Sequence, residues 1–288
     1  MKSIIAIATI LLSATYSYGQ QLSVQQIADS NASKNAKMES YITTLHLDTL
    51  DEEIPALYSK NYKVRAETIQ SMVEKCAEFY EPKFPDVKFN LQIMILNKDD
   101  WHKIHLDEYV PYGMPNAWSR LNKLFIAADK KAVGKLFGVS DNRPDNVLSK
   151  FDCISLHELG HIFLKRYKNT HTQKKWADEF LASYFAICFF EENKNYPGLP
   201  QVGENNYQPK YKTLEDFERL YEKVGARNYG WYQARFTELG KRLYPKFKVE
   251  LLREFVDNYS RDGKKLEALV LLRQIAPEIT NQWVEEMK

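Results

Sequence analysis

The clearest alternation of apolar and polar positions lies in the first half of the chain and predicts a helix followed by a strand. Between residues 65 and 80, apolar residues recur every three or four positions, the period of an amphipathic helix. Pro82 and Pro85 predict its end. Residues 87–96 alternate and then become wholly apolar, which predicts a strand. The apolar stripe of the helix consists of Ile69, Met72, Val73, Cys76 and Tyr80.

Two further strands and a turn are predicted nearby. Residues 41–47 alternate with threonine, and residues 124–128 form a short apolar run, so we expect a strand in each. Residues 112–115 contain glycine and proline and predict a turn between strands. Residues 20–40 are mostly polar and predict a loose lead-in to the fold.

From about residue 146 the pattern takes a helical period. Helices are predicted over residues 146–167 and 174–192, and the second contains an apolar run from Phe180 to Phe190. Crossing a bilayer needs about 20 apolar residues, so this shorter run predicts a buried core helix. Further helices are predicted over residues 214–224, 229–243, 246–259 and 264–275.

These elements predict an α+β fold with a small mixed sheet. We expect one domain over residues 20–288, with a sheet-bearing lobe (20–145), a helical lobe (146–288) and a substrate cleft between them. The first 19 residues have the pattern of a secretory signal peptide, since Lys2 precedes an apolar run that ends in small residues. A secreted or periplasmic protein, with no stable membrane insertion after cleavage, is therefore expected.

Composition narrows the class further. The chain is 44% hydrophobic and 27% charged, which is typical of a globular protein. Its 40 basic and 38 acidic residues leave a net charge of +2 without a block of one sign, so no nucleic-acid partner is expected. Three cysteines are too few and too dispersed for a disulfide framework.

The segment His157-Glu158-Leu159-Gly160-His161 fits the zinc motif H-E-x-x-H. Residues four apart on a helix differ by about 40° in direction, so both histidines can point a ring nitrogen at one ion. Glu158 is turned by about 100° from His157, where a base can take a proton from an activated water. Gly160 allows the close approach of another chain segment.

A catalytic zinc takes three protein ligands and keeps one position open, so a third ligand is expected from a nearby helix. The helix of residues 174–192 carries two adjacent acids, Asp178 and Glu179. Glu179 lies deeper in the apolar run, where a metal would offset the cost of burying an anion. We therefore predict Glu179 as the third ligand. Asp178 is expected to start the helix or to support a metal-bound histidine.

These two segments together resemble the gluzincin group of zinc peptidases, which combine H-E-x-x-H with a downstream glutamate. Residues 176–184 (Trp-Ala-Asp-Glu-Phe-Leu-Ala-Ser-Tyr) are similar to the W-x-N-E-G-F-A-S-Y segment of gluzincin aminopeptidases, with Asp178 where that family has Asn. Seventeen residues separate His161 from Glu179, against eighteen in that family. The resemblance covers roughly residues 147–190.

The resemblance implies a compact, secreted, zincin-like peptidase with its metal site in the cleft between the lobes. It implies one Zn²⁺ ion and a peptide or protein substrate, with Glu158 as the general base. Those aminopeptidases also use a G-x-M-E-N segment whose Glu holds the amino end of the substrate. Here Gly113-Met114-Pro115-Asn116 lacks that Glu, so endo- and exopeptidase action stay open. Candidates to stabilise the oxyanion also stay open: Tyr229, Tyr232, Arg235 and His171.

Two other classes of protein fit the same sequence. An exported zinc-binding protein of this fold that turns over nothing would hold its metal in a closed, four-ligand site. A structural or interaction protein would bind no metal, and its two motif histidines would be hydrogen-bonded to neighbours. Metal analysis of the purified protein separates the second class from the others.

Overall fold

The computed structural model describes most of the chain after its first 23 residues. The predicted signal peptide, residues 1–19, lies outside this part. The described ranges are residues 24–136, 145–167, 174–200, 207–221, 223–258 and 267–287.

The fold is mixed α+β, with a five-stranded sheet in the order β1-β2-β3-β5-β4. The central pairs β2–β3 and β3–β5 are parallel, whereas the outer pairs β1–β2 and β4–β5 are antiparallel. β4 therefore lies at one edge of the sheet. The strands are Asp48–Leu50 (β1), Ala56–Tyr58 (β2), Gln92–Leu96 (β3), Asn116–Trp118 (β4) and Lys123–Ala127 (β5).

The alternation within β3 separates two cores on opposite faces of the sheet. Ile93 and Ile95 belong to a large core that also contains the buried faces of the main helices. Met94 and Leu96 point to the other face, where a smaller core forms around Trp101. The period of two along a strand explains this division.

Helices make up most of the remaining described chain. One 3₁₀ turn, Leu106–Glu108, adds to them. The α-helices are Val24–Ile42 (α1), Lys63–Tyr80 (α2), Lys98–Lys103 (α3), Lys130–Leu136 (α4), Asp145–Asp152 (α5), Ile154–Arg166 (α6), Lys175–Glu192 (α7), Leu214–Leu220 (α8), Ala226–Phe247 (α9), Glu250–Asn258 (α10), Ala268–Ile275 (α11) and Pro277–Glu286 (α12).

The predicted strand over residues 41–47 is wrong, and so is the loose lead-in over the described residues 24–40. The α1 helix extends to Ile42, because Met38 and Ile42, one turn apart, are both buried in the smaller core. The hydroxyl groups of the two threonines that follow, Thr43 and Thr44, donate to carbonyl groups of the last helical turn and end the helix in a turn. Alternation outside a sheet was therefore misleading here.

Most other predicted elements are confirmed with shifted ends. The strand predicted over residues 87–96 is regular only from residue 92. The helix predicted over residues 146–167 is broken at Cys153 into α5 and α6. At this break Arg65 of α2 donates from Nη1 and Nη2 to the two oxygens of Asp152, each at 2.7 Å. This nearly buried ion pair ties α2 to the end of α5, two residues before α6 begins.

The apolar run of α7 is a core element, as predicted. Every residue from Phe180 to Phe190 is buried. Within the ranges that the structure describes, no helix is both long enough and apolar enough to cross a membrane. The three cysteines are buried free thiols.

The α6 and α7 helices approach closely at Gly160. A Cβ atom on Gly160 would lie 2.9 Å from both the Cα and the carbonyl oxygen of Ala182. The prediction that Gly160 admits another chain segment is therefore confirmed. This contact sets the distance between the helix that carries both motif histidines and the helix that carries Glu179.

Replacing Gly160 by alanine is expected to lower the free energy of unfolding by about 1–3 kcal/mol, because the two helix backbones must separate. Gly240 of α9 is a matched control, since a Cβ there would meet Cδ1 of Ile187, the end of a flexible side chain, at 2.6 Å. Alanine favours a helix over glycine by about 1 kcal/mol, which offsets that milder contact. Urea denaturation compares the two variants, and equal losses would contradict this account of the α6–α7 contact.

Candidate metal centre

The H-E-x-x-H segment lies on α6 and brings three metal-binding side chains together. Nε2 of His157 and Nε2 of His161 are 3.2 Å apart. Potential ligand atoms of these two histidines and of Glu158 all lie within 4.8 Å of one another. The spacing of four residues on a helix accounts for the convergence of the two rings. This cluster can bind a metal ion.

The α7 helix brings Glu179 to the same point. Its Oε2 atom lies 3.2 Å from Nε2 of His157 and 3.9 Å from Nε2 of His161. Glu179 is only 4% exposed. Its neighbour Asp178 is partly exposed, so the two adjacent acids do face different surroundings.

The distances among these atoms suit a divalent metal. Two nitrogens at the 2.0–2.1 Å typical of zinc, in a tetrahedral arrangement, are separated by about 3.3 Å. The two Nε2 atoms and Oε2 of Glu179 are separated by 3.2, 3.2 and 3.9 Å, so the donor set fits such an ion with a small adjustment at His161. Nitrogen and oxygen donors of this kind are typical zinc ligands.

Three further side chains hold these groups in place, and the sequence did not reveal their role. Nδ1 of His157 lies 3.1 Å from the hydroxyl of Ser183. The Tyr221 hydroxyl donates to Oε1 of Glu179 at 2.6 Å, and the Gln233 amide donates to Oε2 at 2.7 Å. Both oxygens of the buried carboxylate therefore have a neutral donor. Such outer contacts fix the orientation of metal ligands.

The Glu158 carboxylate is held by the edge strand β4. Its Oε2 accepts a hydrogen bond of 2.9 Å from the backbone N–H of Ala117. This N–H is directed at α6 and not at β5, so the outer edge of β4 faces the helix that carries Glu158 and both motif histidines. An extended chain segment can therefore reach the site by pairing with β4.

The two carboxylates of the site have pKa shifts in opposite directions. Burial raises the pKa of Glu158 to about 7, against the effect of the His161 charge. Burial alone would raise the pKa of Glu179. The hydrogen bond with His157 and the charges of both histidines outweigh this effect and hold the pKa of Glu179 well below its usual range. Such a pair has one carboxyl suited to carrying a proton and one that stays anionic.

Burial also lowers the pKa of His161, with a further lowering by His157 against the two carboxylates. The imidazole is therefore favoured in its neutral form. A neutral ring nitrogen has the lone pair that a metal requires.

The four candidates for oxyanion stabilisation differ in whether the structure places them near the metal centre. The hydroxyl of Tyr232 donates to the carbonyl of Thr213 at 2.8 Å, so it serves the helical core. The guanidinium of Arg235 pairs with Glu238 at 2.6 Å and lies over the Trp231 ring. Neither is available at the metal centre. His171 lies outside the described residues.

Tyr229 is the candidate that lies near the site. Burial raises its pKa well above the usual range, and the neighbouring carboxylates of Glu179 and Glu158 raise it further. Its side chain is partly exposed. A tyrosine that keeps its proton next to two carboxylates is a suitable hydrogen-bond donor.

No protein-family model matches the chain, and no curated protein or solved structure matches it. The chemistry of the centre therefore has to be inferred from its own atoms.

Proposed function

We propose that this chain is an exported zinc-dependent peptidase of the zincin type, in which His157, His161 and Glu179 bind one zinc ion. The observation that carries the proposal is the convergence of two ring nitrogens and one carboxylate oxygen beside Glu158. The resemblance of α6 and α7 to the gluzincins supports the same ligand set. The pattern of the first 19 residues supports export.

A zinc ion bound there would polarise a peptide carbonyl and lower the pKa of water. Glu158 accepts the proton of the attacking water and passes it to the amine of the leaving group. Tyr229, which lies close to the Glu179 and Glu158 carboxylates, would donate a hydrogen bond to the oxyanion. Tyr221 and Gln233 keep the Glu179 carboxylate directed at the two rings.

A peptide substrate is favoured because β4 offers an unpaired edge next to the base. A peptide added to this edge would replace Glu158 as the acceptor of the Ala117 N–H. Binding of substrate would then free the Glu158 carboxylate at the moment when it is needed. Main-chain pairing of this kind is independent of side-chain identity, so any preference for particular peptides would come from side chains around the strand.

One observation favours a second candidate, a zinc-binding protein without turnover. A ligand atom of Glu158 lies within 4.8 Å of those of both histidines. If Glu158 were a fourth ligand, the site would be closed to water, and catalysis requires an open position.

The test is digestion of a mixed peptide library by the zinc-loaded protein, with cut sites identified by mass spectrometry. We expect cleavage that a chelator abolishes and that added zinc restores. A protein that binds one zinc ion and cleaves no peptide would contradict the peptidase proposal and favour the second candidate.

Removal of the Tyr221 hydroxyl is expected to weaken zinc binding by about 10- to 100-fold, the usual effect of losing a partner of a metal ligand. The variant is Tyr221→Phe, and competition with a chelating dye measures the affinity. Tyr244→Phe is a matched control, because Tyr244 also donates to a glutamate, Glu192, in a contact that involves no residue of the metal centre. Equal affinities in the two variants would contradict the role of Tyr221.

A further inference from the structure

Three cations lie in the turn just after β4 and in the last turn of α6. Nζ of Lys165 is 3.4 Å from the hydroxyl of Ser119, the residue that directly follows β4. Arg120 comes next in the chain, and Arg166 follows Lys165. Lys165 lies seven residues after Glu158 and four after His161, so all three share one face of α6. We call Lys165 and Arg120 the cationic pair.

No acidic side chain in the described part of the chain forms an ion pair with this group. Arg166 donates to the backbone carbonyls of Lys88 and Asn90. The Lys165 ammonium has the Ser119 hydroxyl as its partner. Burial lowers the pKa of Lys165, and the charges of Arg120 and Arg166 lower it further. An anion placed here would offset the repulsion among the cations and the free-energy cost of partly burying them.

The edge strand leads directly from the base to these cations. Ala117 contacts Glu158, and two residues later Ser119 contacts Lys165. A peptide paired with the free edge of β4 would advance by about 3.3 Å per residue, the same rise as β4 itself. A side chain about two or three residues from the cleaved bond would therefore reach the cationic pair.

We propose that Lys165 and Arg120 form a subsite for a carboxylate, so that the protein selects peptides with an acidic group two or three residues from the cleaved bond. This selection rests on the proposed peptidase function. Charge-assisted hydrogen bonds from an ammonium and a guanidinium recognise a carboxylate well. The carboxylate can come from an Asp or Glu side chain or from the free C-terminus of a short peptide, and the test distinguishes these sources.

The experiment measures peptide binding to the zinc-loaded Glu158→Gln variant, which separates recognition from cleavage. The probes are fluorescent decapeptides with an amidated C-terminus and one Glu at successive positions, each paired with its Gln twin. A second set has a free C-terminus and no Glu. We expect about tenfold tighter binding of a Glu peptide at one or two adjacent positions, a preference that salt weakens. Tight binding only in the second set would assign the subsite to the terminal carboxylate.

Four further variants in the same background test the assignment of the subsite. Arg120→Gln changes an exposed side chain and is expected to reduce the preference, and its combination with Lys165→Gln is expected to remove it. Lys241→Gln, which removes an exposed charge on α9, is expected to leave the preference intact. Lys165→Glu is expected to shift the preference to peptides with Lys at the same position.

Equal binding of all Glu and Gln twins, or no peptide binding at all, would overturn the subsite. Cleavage by the wild-type protein without an acidic preference would leave the peptidase proposal standing and remove this one. Selective binding of acidic peptides without cleavage by the wild-type protein would do the reverse.

Discussion

Replacement of Glu158 by glutamine is expected to abolish peptide hydrolysis and to leave the bound metal in place. Glutamine has nearly the shape of glutamate but cannot accept a proton from water. A positioned general base contributes about 10²- to 10⁴-fold to a rate, so the loss should reach at least this range. The two Nε2 atoms and Oε2 of Glu179 are untouched, so zinc affinity should change little.

The measurement is the initial rate of cleavage of one library peptide, together with the zinc content of both proteins. Glu67→Gln is a suitable control, because Glu67 is an exposed residue of α2 that pairs with Lys63. Near-normal rates in Glu158→Gln would remove Glu158 as the base. A loss of zinc in this variant would instead identify Glu158 as a ligand and favour the non-catalytic alternative.

Replacement of His161 by alanine is expected to remove the metal. The variant loses one of three protein ligands, and a zinc site of four ligands contributes about 10–16 kcal/mol in all, so the affinity should fall on the order of a hundredfold or more. Hydrolysis should fall with the metal. Zinc should no longer raise the melting temperature of the variant, because a ligand stabilises a fold only as far as it binds.

His102→Ala is the control for this variant, since His102 pairs with Asp107 at the protein surface, 3.1 Å away. The readouts are zinc content after dialysis and thermal unfolding with and without zinc. Full zinc occupancy in His161→Ala would show that the ligand set is wrong. Loss of zinc in His102→Ala would indicate a different or second metal site.

The parts of the centre that the sequence predicted are those fixed by a single helix. Two histidines four residues apart share a face of any α-helix, so the pair needs no knowledge of the fold. Glu179 could be predicted for a different reason, because a carboxylate inside an apolar run needs a partner. Ser183, one turn after Glu179 on α7, could have been found by the same periodicity.

The rest of the centre depends on contacts that no local pattern encodes. Tyr221 and Gln233 reach Glu179 from 42 and 54 residues further along the chain. The edge strand β4 has three residues, which is too short for a period of two to be recognised. Its role follows only from its place at the edge of the sheet and from the hydrogen bond of Ala117 with Glu158 on α6.

The zinc K-edge X-ray absorption spectrum of the protein loaded with one equivalent of zinc tests the central claim most directly. The account predicts two imidazole ligands, with oxygen donors completing the first shell at about 2.0–2.2 Å. The Glu179→Ala variant should lose zinc or show a changed oxygen shell. A first shell without imidazole, or one with sulfur from the buried cysteines, would contradict the account.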